Sequence, residues 1–221
     1  MPFWTYLIIL GDAALAMPLA GGIALILMQQ RAWPRLLLWL ASFGLAFVVI
    51  VLGKAYFDFT GWSLPSIGMY SVSGHAMLTT AVYPMLFGLL AGNRADGVRR
   101  AAVSAGWALA AAMALVLVAG RYHTMSETLL GGALGAGVAR LNLSRMRPVR
   151  FAIPYLPIVL AALCAMLVVP TGAARAAKDG LWLRTGDWVG VSHRYVRFIL
   201  RSPFEGGSQV RVISVPADVE F

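Results

Sequence analysis

Charged residues, histidines and cysteines are scarce in this sequence of 221 residues. Asp, Glu, Lys and Arg make up only 12% of the chain, whereas a soluble domain carries roughly 25%. The single cysteine, Cys164, cannot form an internal disulfide. The sequence has no run of charges within an apolar segment and no cluster at metal-ligand spacing, which argues against an ion channel and a redox protein. The N-terminus lacks the basic region of a signal peptide and is interpreted as a retained first span.

Apolar residues dominate instead, at 60% of the chain. They occur in runs of about 20 residues, the length that crosses a hydrocarbon core of ~30 Å as a helix. The sequence therefore predicts an all-α fold: a polytopic membrane helix bundle with six transmembrane helices in residues 1–170, followed by an extramembrane C-terminal tail in residues 171–221. The six predicted spans are Thr5–Met28, Leu36–Leu52, His75–Gly92, Ala101–Ala119, Glu127–Leu143 and Phe151–Val169.

Glycine is concentrated in the fifth predicted span, which contains the segment GGALGAGVAR. Gly131 and Gly135 are four residues apart and therefore share one face of a helix. Small residues on such a face let two helix backbones approach closely. This span is expected at the centre of the bundle.

The positive charges follow the topology rule for membrane proteins. Alternate loops are rich in arginine and are predicted to be cytoplasmic: they contain Arg31, Arg35, Arg94, Arg99, Arg100, Arg140, Arg145, Arg147 and Arg150. The opposite loops and both termini then face the periplasm, as in a multi-pass protein of a bacterial inner membrane. Because the net charge of +9 comes from short loops and the tail, it indicates contacts with lipid headgroups and not with nucleic acid.

The C-terminal tail interleaves basic and aromatic residues, as in the segment DGLWLRTGDWVGVSHRYVRFILRSPFEGG. Two interpretations remain open, an amphipathic element at headgroup level and a loosely ordered extension. His193 is interpreted as a surface histidine. The segment SQVRVISVPADVEF alternates like a short strand, but the sequence offers no obvious partner for it.

A histidine and an acid at the start of the fifth predicted span form a candidate catalytic pair. His123 and Glu127 are four residues apart, so their side chains can meet across one helical turn. Ser126 is a candidate cap for that helix. A carboxylate bonded to one imidazole nitrogen fixes the tautomer and makes the other nitrogen a better nucleophile.

Further polar residues at the ends of other spans converge on the same predicted side. Arg121 offers a forked cation that suits phosphate oxygens, Lys54 adds a second cation, and His75 is a candidate acid. A nucleophilic histidine, an orienting carboxylate, an acidic histidine and cations are what phosphoryl transfer through a phosphohistidine requires.

The order of a lysine, an SGH triplet and a histidine followed four residues later by an acid resembles the type 2 phosphatidic acid phosphatase (PAP2) superfamily. That superfamily has the motifs KxxxxxxRP, PSGH and SRxxxxxHxxxD. The resemblance covers roughly Leu10 to Leu143, and the stretch HTMSETLLG is similar to HSPSEVVAG of small bacterial members. It implies a site at one membrane face that hydrolyses lipid phosphate monoesters or diphosphates without a metal or cofactor.

The resemblance also implies a role for each matching position. Three residues would hold the substrate phosphate: Lys54, Ser73 and, through its backbone amide, Gly74. Three would carry the chemistry: His123 would attack phosphorus, His75 would protonate the leaving oxygen, and Glu127 would stand where the family usually has Asp.

Several positions depart from the family pattern. Gly61 and Trp62 stand where the first motif has Arg-Pro, and Val72 replaces the proline of the second motif. Leu117 stands where the third motif has its arginine, six residues before the nucleophile, and Arg121 is the candidate replacement. Because a hydrogen bond to a charged group is worth roughly 1.5–3 kcal/mol, the loss of two arginines predicts slow turnover or a rearranged site.

Two functions from different classes follow. The first is an integral membrane lipid phosphate phosphatase acting on polyprenyl diphosphate, phosphatidate, phosphatidylglycerol phosphate or a lipid A phosphate. The alternative is a catalytically degenerate relative that binds or carries a lipid phosphate without hydrolysis. The expected partners are the lipid phosphate and the surrounding membrane lipids.

Overall fold

A computed structural model describes residues 4–145, 180, 184–186, 188–201 and 208–216 of the chain. Helices dominate these residues: α1 (Trp4–Gly11), α2 (Ala13–Gln29), α3 (Trp33–Thr60), a short 3-10 helix (Pro65–Ile67), α4 (Gly74–Leu90), α5 (Asp96–Ala119) and α6 (Met125–Ser144). Two strands follow, β1 (His193–Arg201) and β2 (Ser208–Pro216). Cys164, the predicted sixth span and the predicted domain boundary at residue 170 lie outside the described residues.

The first five predicted spans are all helical, but two of them differ from the prediction. The first is divided in two because Asp12 adopts an extended backbone and its carboxylate accepts a hydrogen bond from the amide of Ala14 at 2.8 Å, capping α2. The second continues past Leu52 to Thr60. Lys54 and Asp58 therefore lie on α3 and not in a loop, and they form an ion pair of 3.4 Å.

Two helices, α3 and α5, are long and apolar enough to cross a membrane, judged by length and composition. Both expose large apolar side chains, which are Leu37, Leu45 and Leu52 on α3 and Leu115 on α5. Extensive apolar surface of this kind marks contact with a membrane or another protein. The mostly helical fold is thus confirmed, and these two helices support an association with the membrane.

Helix α4 forms the core on which the site is built. It packs against the five other helices, and nearly all of its side chains from the third residue onward are buried. Helix α6 approaches α4 closely because Gly131 and Gly135 have no side chains. Cβ atoms at these two positions would collide with the backbone carbonyl oxygens of Ser73 and Met77. The predicted small-residue face of α6 is therefore confirmed, and it brings the start of α6 against the start of α4.

The described part of the C-terminal tail is an antiparallel hairpin in which residues 193–201 pair with residues 208–216. This hairpin shows that the all-α prediction was wrong for the tail. The alternating segment that starts at Ser208 does have a partner, because the preceding run HRYVRFILR has the same length and is also rich in residues that favour strands. His193 is exposed at the start of β1, as predicted.

The hairpin lies against the C-terminal end of α3. Gly61 ends that helix in the left-handed conformation, with φ of 69°. A Cβ atom on Gly61 would lie only 2.7 Å from the ring of Tyr195, so this ring rests directly on the glycine. Because side chains alternate along a strand, Arg197 projects from the same face of β1 as Tyr195, towards the helices.

Candidate active site

The turn between α5 and α6 positions Glu127 through a capping box. Thr124 is the N-cap of α6: its hydroxyl accepts a hydrogen bond from the Glu127 amide at 3.3 Å, and its own amide donates to Glu127 Oε2 at 3.2 Å. The Thr124 hydroxyl also donates to the carbonyl of Gly68 at 2.6 Å. Ser126 is not the cap that the sequence suggested, because its hydroxyl donates to the carbonyl of Ile67 instead.

The carboxylate that closes this capping box also holds His123. Nδ1 of His123 lies 2.9 Å from Glu127 Oε2, and the amide of Ser71 donates to Oε1 at 3.0 Å. The Glu127 side chain is 0% exposed, and these donors replace the water that burial removes. We assign the ring hydrogen to Nδ1, because a carboxylate only accepts hydrogen bonds. Nε2 of His123 then keeps its lone pair.

Arg197 of the hairpin completes the set of donors around Glu127. Its Nη2 lies 2.7 Å from Glu127 Oε2 and 3.0 Å from His123 Nδ1. A guanidinium only donates, so an Nδ1 that gives its hydrogen to Glu127 cannot also accept one. We therefore take the shorter contact to Oε2 as the hydrogen bond and the contact to Nδ1 as a close approach. The Arg197 side chain is 12% exposed, so water screens this ion pair far less than a surface pair.

His75 approaches His123 from α4. Ser73 caps this helix by accepting a hydrogen bond from the amide three residues on at 3.3 Å, which places Gly74 and His75 in the first turn. The centroids of the two imidazole rings are 6.3 Å apart and their planes are inclined by 53°. The end of α1 packs against His75, because a Cβ atom on Gly11 would lie 3.1 Å from its side chain. Two imidazoles from separate elements thus face one site.

Burial, together with nearby positive charges, keeps the ring of His123 neutral. Burial lowers the pKa of His123 below its usual value of 6.5, the hydrogen bond to Glu127 opposes this, and the positive charges of Arg197 and Lys54 add to the lowering. Burial also lowers the pKa of Arg197, while Glu127 and Asp58 counteract it. The guanidinium stays charged because arginine does not lose its proton in proteins. At pH 7 the site therefore combines a neutral imidazole with a nearby cation.

The structure brings His123, Glu127 and His75 together as predicted, and Lys54 is close enough for its charge to act on His123. Ser73 is fully buried and its oxygen caps α4. Arg121 is exposed in a left-handed backbone conformation, with φ of 60°. Among the described residues, the arginine that contacts the His123–Glu127 pair is Arg197 and not Arg121.

Sequence reasoning missed Arg197, the Thr124 cap and the Ser71 amide. A signal for the first did exist: two nine-residue runs that favour strands flank the segment SPFEGG, and this pattern is typical of a hairpin. The docking of the hairpin on the helices leaves no such signal. Within the parts of the chain that the structure describes, no group of three or more His, Cys, Asp or Glu side chains is placed to hold a metal ion.

Fold and site together define a helical protein with a buried imidazole–carboxylate pair at one end of its helices. The chain is similar to a Klebsiella pneumoniae protein described as "Uncharacterized 22.5 kDa protein in cps region", with 30% identity over 142 residues. The match covers 63% of this chain and 68% of the relative, and the chain belongs to the family of that protein. No family model and no solved structure matches the chain.

Proposed function

We propose that this protein is a PAP2-type integral membrane phosphatase that hydrolyses a phosphate monoester or diphosphate of a lipid through a phosphohistidine. One observation carries the proposal: the buried carboxylate of Glu127 holds Nδ1 of His123 at 2.9 Å while the ring of His75 lies 6.3 Å from that of His123. A neutral imidazole oriented in this way presents a nucleophilic Nε2, and the second imidazole is placed to move a proton.

The reaction has two balanced steps. In the first, Nε2 of His123 attacks phosphorus, a P–N bond forms, and the P–O bond to the lipid breaks while His75 gives a proton to the departing oxygen. In the second, water attacks the phosphohistidine, His75 takes a proton from that water, and the P–N bond breaks. Inorganic phosphate leaves, and both histidines return to their starting protonation states.

Positive charge and backbone amides support the binding of an anion. Lys54 and Arg197 act electrostatically on His123, so both charges are felt where a phosphoryl group would bind. Gly74 and His75 lie in the first turn of α4, a helix of 17 residues. The backbone amides and the dipole at a helix N-terminus stabilise phosphate oxygens. Gly74 contributes here through its backbone, whereas the buried hydroxyl of Ser73 acts by capping α4.

We place the protein in a bacterial inner membrane as a six-span, multi-pass protein with the site facing the periplasm. Trp33 begins α3, and Tyr56 and Trp62 form an exposed aromatic pair near its other end, with ring centroids 5.6 Å apart. Aromatic residues at both ends of a long apolar helix are typical of membrane interfaces. Tyr56 and Trp62 lie at the same end of α3 as Lys54, so the lipid headgroup would meet the site at that interface.

The alternative is a protein of this family that binds or carries a lipid phosphate without hydrolysis. One observation favours it: neither motif arginine is present at its own position. Gly61 is covered by the ring of Tyr195, and Leu117 is completely buried. Arg197 brings a guanidinium to the site by another route, and this favours the enzyme.

Phosphate release by the purified full chain tests the proposal. The protein in detergent with EDTA is offered phosphatidate, phosphatidylglycerol phosphate, polyprenyl diphosphate and a lipid A phosphate. We expect release from at least one lipid, its abolition by His123→Ala, and no loss with the matched control His193→Ala on the exposed end of β1. Labelled substrate should leave a phosphoenzyme that acid destroys and alkali preserves, as an N–P bond requires. Binding of a lipid phosphate without release would support the alternative instead.

A further inference from the structure

We propose that the C-terminal hairpin is a working part of this site and that Arg197 is its positioning residue, fixing the Glu127 carboxylate against His123 and presenting a positive charge to the bound phosphoryl group. This role rests on the proposed phosphatase function. It adds a residue from outside the helices, at a position that the three motifs do not cover.

The first argument is the geometry of the ion pair. Arg197 Nη2 and His123 Nδ1 both reach the same carboxylate oxygen of Glu127, at 2.7 Å and 2.9 Å. An oxygen held by two side chains and the amide of Thr124 has little freedom to rotate away from the imidazole. The pair is shielded from water, since the two side chains are 12% and 0% exposed. Charges that are shielded from water attract each other more strongly than exposed charges do.

The second argument is the fit between the hairpin and the helices. Gly61 stands where the first motif of the PAP2 superfamily has its arginine. The ring of Tyr195 occupies the space that a side chain at position 61 would need. Tyr195 and Arg197 are two residues apart on β1 and share the face that lies against α3. The side chain missing from α3 therefore makes room for a strand that carries a guanidinium to the same site.

The third argument is the capacity of the guanidinium. An arginine has five N–H donors in a planar fork. Both contacts of Arg197 described above, the hydrogen bond to Glu127 Oε2 and the close approach to His123 Nδ1, involve Nη2. Nη1 and Nε supply further donors, and a forked cation is well suited to phosphate oxygens. Arg197 can thus hold Glu127 and a phosphoryl group at the same time.

Turnover of matched variants tests this role. Arg197→Gln removes the positive charge, and Arg197→Lys keeps the charge but replaces the planar guanidinium by an ammonium group. Arg211→Gln is the control. Arg211 is exposed and pairs with Phe198, so it lies on the face of the hairpin turned away from the helices. We expect Arg197→Gln to lower kcat/KM roughly 10- to 100-fold, as for the loss of a bond to a charged group. Arg197→Lys should recover part of this loss, and Arg211→Gln should stay within about twofold of the parent chain.

Titration of His123 gives a readout that needs no catalysis. The charged and titratable groups that face His123 are Glu127 from α6, Arg197 from β1, Lys54 from α3 and His75 from α4. Removing the positive charge of Arg197 should raise the pKa of His123, measured by NMR of isotope-labelled histidine. Arg211→Gln should leave it unchanged. Binding of inorganic phosphate to the detergent-solubilised chain should weaken in Arg197→Gln and not in Arg211→Gln.

The outcomes separate this role from the proposed function. If the parent chain releases no phosphate but Arg197→Gln still raises the pKa of His123 and weakens phosphate binding, the phosphatase fails and the hairpin's role stands. If the parent chain is active and Arg197→Gln changes neither turnover, pKa nor phosphate binding, the role is overturned. Should Arg197→Gln fail to fold, Arg197→Lys decides through turnover and phosphate binding, because parental values in both would overturn the role of the guanidinium.

Discussion

Arg197 and Glu127 are 70 residues apart in the chain, yet Nη2 of the arginine lies 2.7 Å from Oε2 of the glutamate. This ion pair ties the C-terminal hairpin to the first turn of α6. Glu127 also closes the capping box of that helix and binds His123, so one carboxylate fixes a helix start, an imidazole and a strand. A change in the start of α6, in the imidazole or in the strand should therefore alter the other two.

Replacing Glu127 by glutamine should impair both stability and activity. Glutamine has the same shape, but one of its two acceptor oxygens becomes an NH₂ group, which only donates. That group would face another donor, either the Ser71 amide at the Oε1 position or the Thr124 amide at the Oε2 position. We expect a loss of about 1–3 kcal/mol in the free energy of unfolding, the cost of a buried donor without an acceptor. The pKa of His123 should fall further, because the bond to Glu127 raises it.

Thermal unfolding in detergent and NMR titration of His123 measure these two effects. Asp12→Asn is a suitable control, since this side chain also caps a helix but makes its bond to the amide of Ala14. Parental stability together with a parental His123 pKa in Glu127→Gln would contradict the structural role of the carboxylate.

Replacing His75 by alanine should matter most for substrates with a poor leaving group. As the proposed acid, His75 protonates the departing oxygen, and general acid catalysis contributes roughly 10²–10⁴-fold. The lipid oxygen of a phosphate monoester leaves as a basic alkoxide and needs that proton, whereas p-nitrophenyl phosphate releases a stabilised phenolate. The ratio of the two turnover rates in His75→Ala measures the effect. An equal loss for both substrates would assign His75 a role in binding instead.

The helices and the His123–Glu127 contact were predictable from the sequence because their signals are local. Apolar runs marked five helices that the structure describes, and the four-residue spacing of His123 and Glu127 predicted their contact. Helix ends were less predictable, since α3 continues to Gly61, where the chain turns left-handed. A run of apolar residues marks the apolar length of a helix, but it does not mark where the backbone hydrogen bonds of the helix end.

The contribution of Arg197 was not predictable because it depends on tertiary packing. The alternation in β1 and β2 is visible in the sequence, but nothing local says which face of the hairpin meets the helices. That choice follows from the contact between Tyr195 and Gly61, two residues that are far apart in the chain. Arg121 was the reasonable candidate by proximity to His123, and the turn that holds it leaves it exposed.

The pH dependence of turnover should report the neutral ring of His123. Protonation removes the lone pair of Nε2, and because the pKa of His123 lies below 6.5, kcat/KM should be kept as the pH falls to 6.5 and lost at lower pH. Lys54→Gln removes a positive charge that lowers this pKa, so its acid limb should move to higher pH. Profiles of kcat/KM from pH 4 to 8 test this. An acid limb at or above pH 6.5 in the parent chain would contradict it.

The close approach of α6 and α4 can be tested by adding one methyl group. Gly131→Ala would place Cβ against the carbonyl of Ser73, so the two helices must separate. Overpacking of this kind costs about 1–3 kcal/mol of stability, and it should also move Glu127 away from the start of α4. Gly137→Ala on the same helix is the control, because a Cβ there meets nothing within 4 Å. Equal melting temperatures for the two variants would disprove the close contact.

Gly61→Ala should displace the hairpin and so reproduce part of the effect of losing Arg197. The new Cβ would lie 2.7 Å from the ring of Tyr195, and φ of 69° is unfavourable for any residue with a side chain. Gly190→Ala separates these two causes, because Gly190 has a similar φ of 76° but a Cβ there meets nothing within 4 Å. We expect both variants to lose some stability and only Gly61→Ala to raise the pKa of His123, since only that change moves Arg197. A raised pKa in Gly190→Ala as well would mean that backbone strain, and not the contact with Tyr195, governs where the hairpin docks.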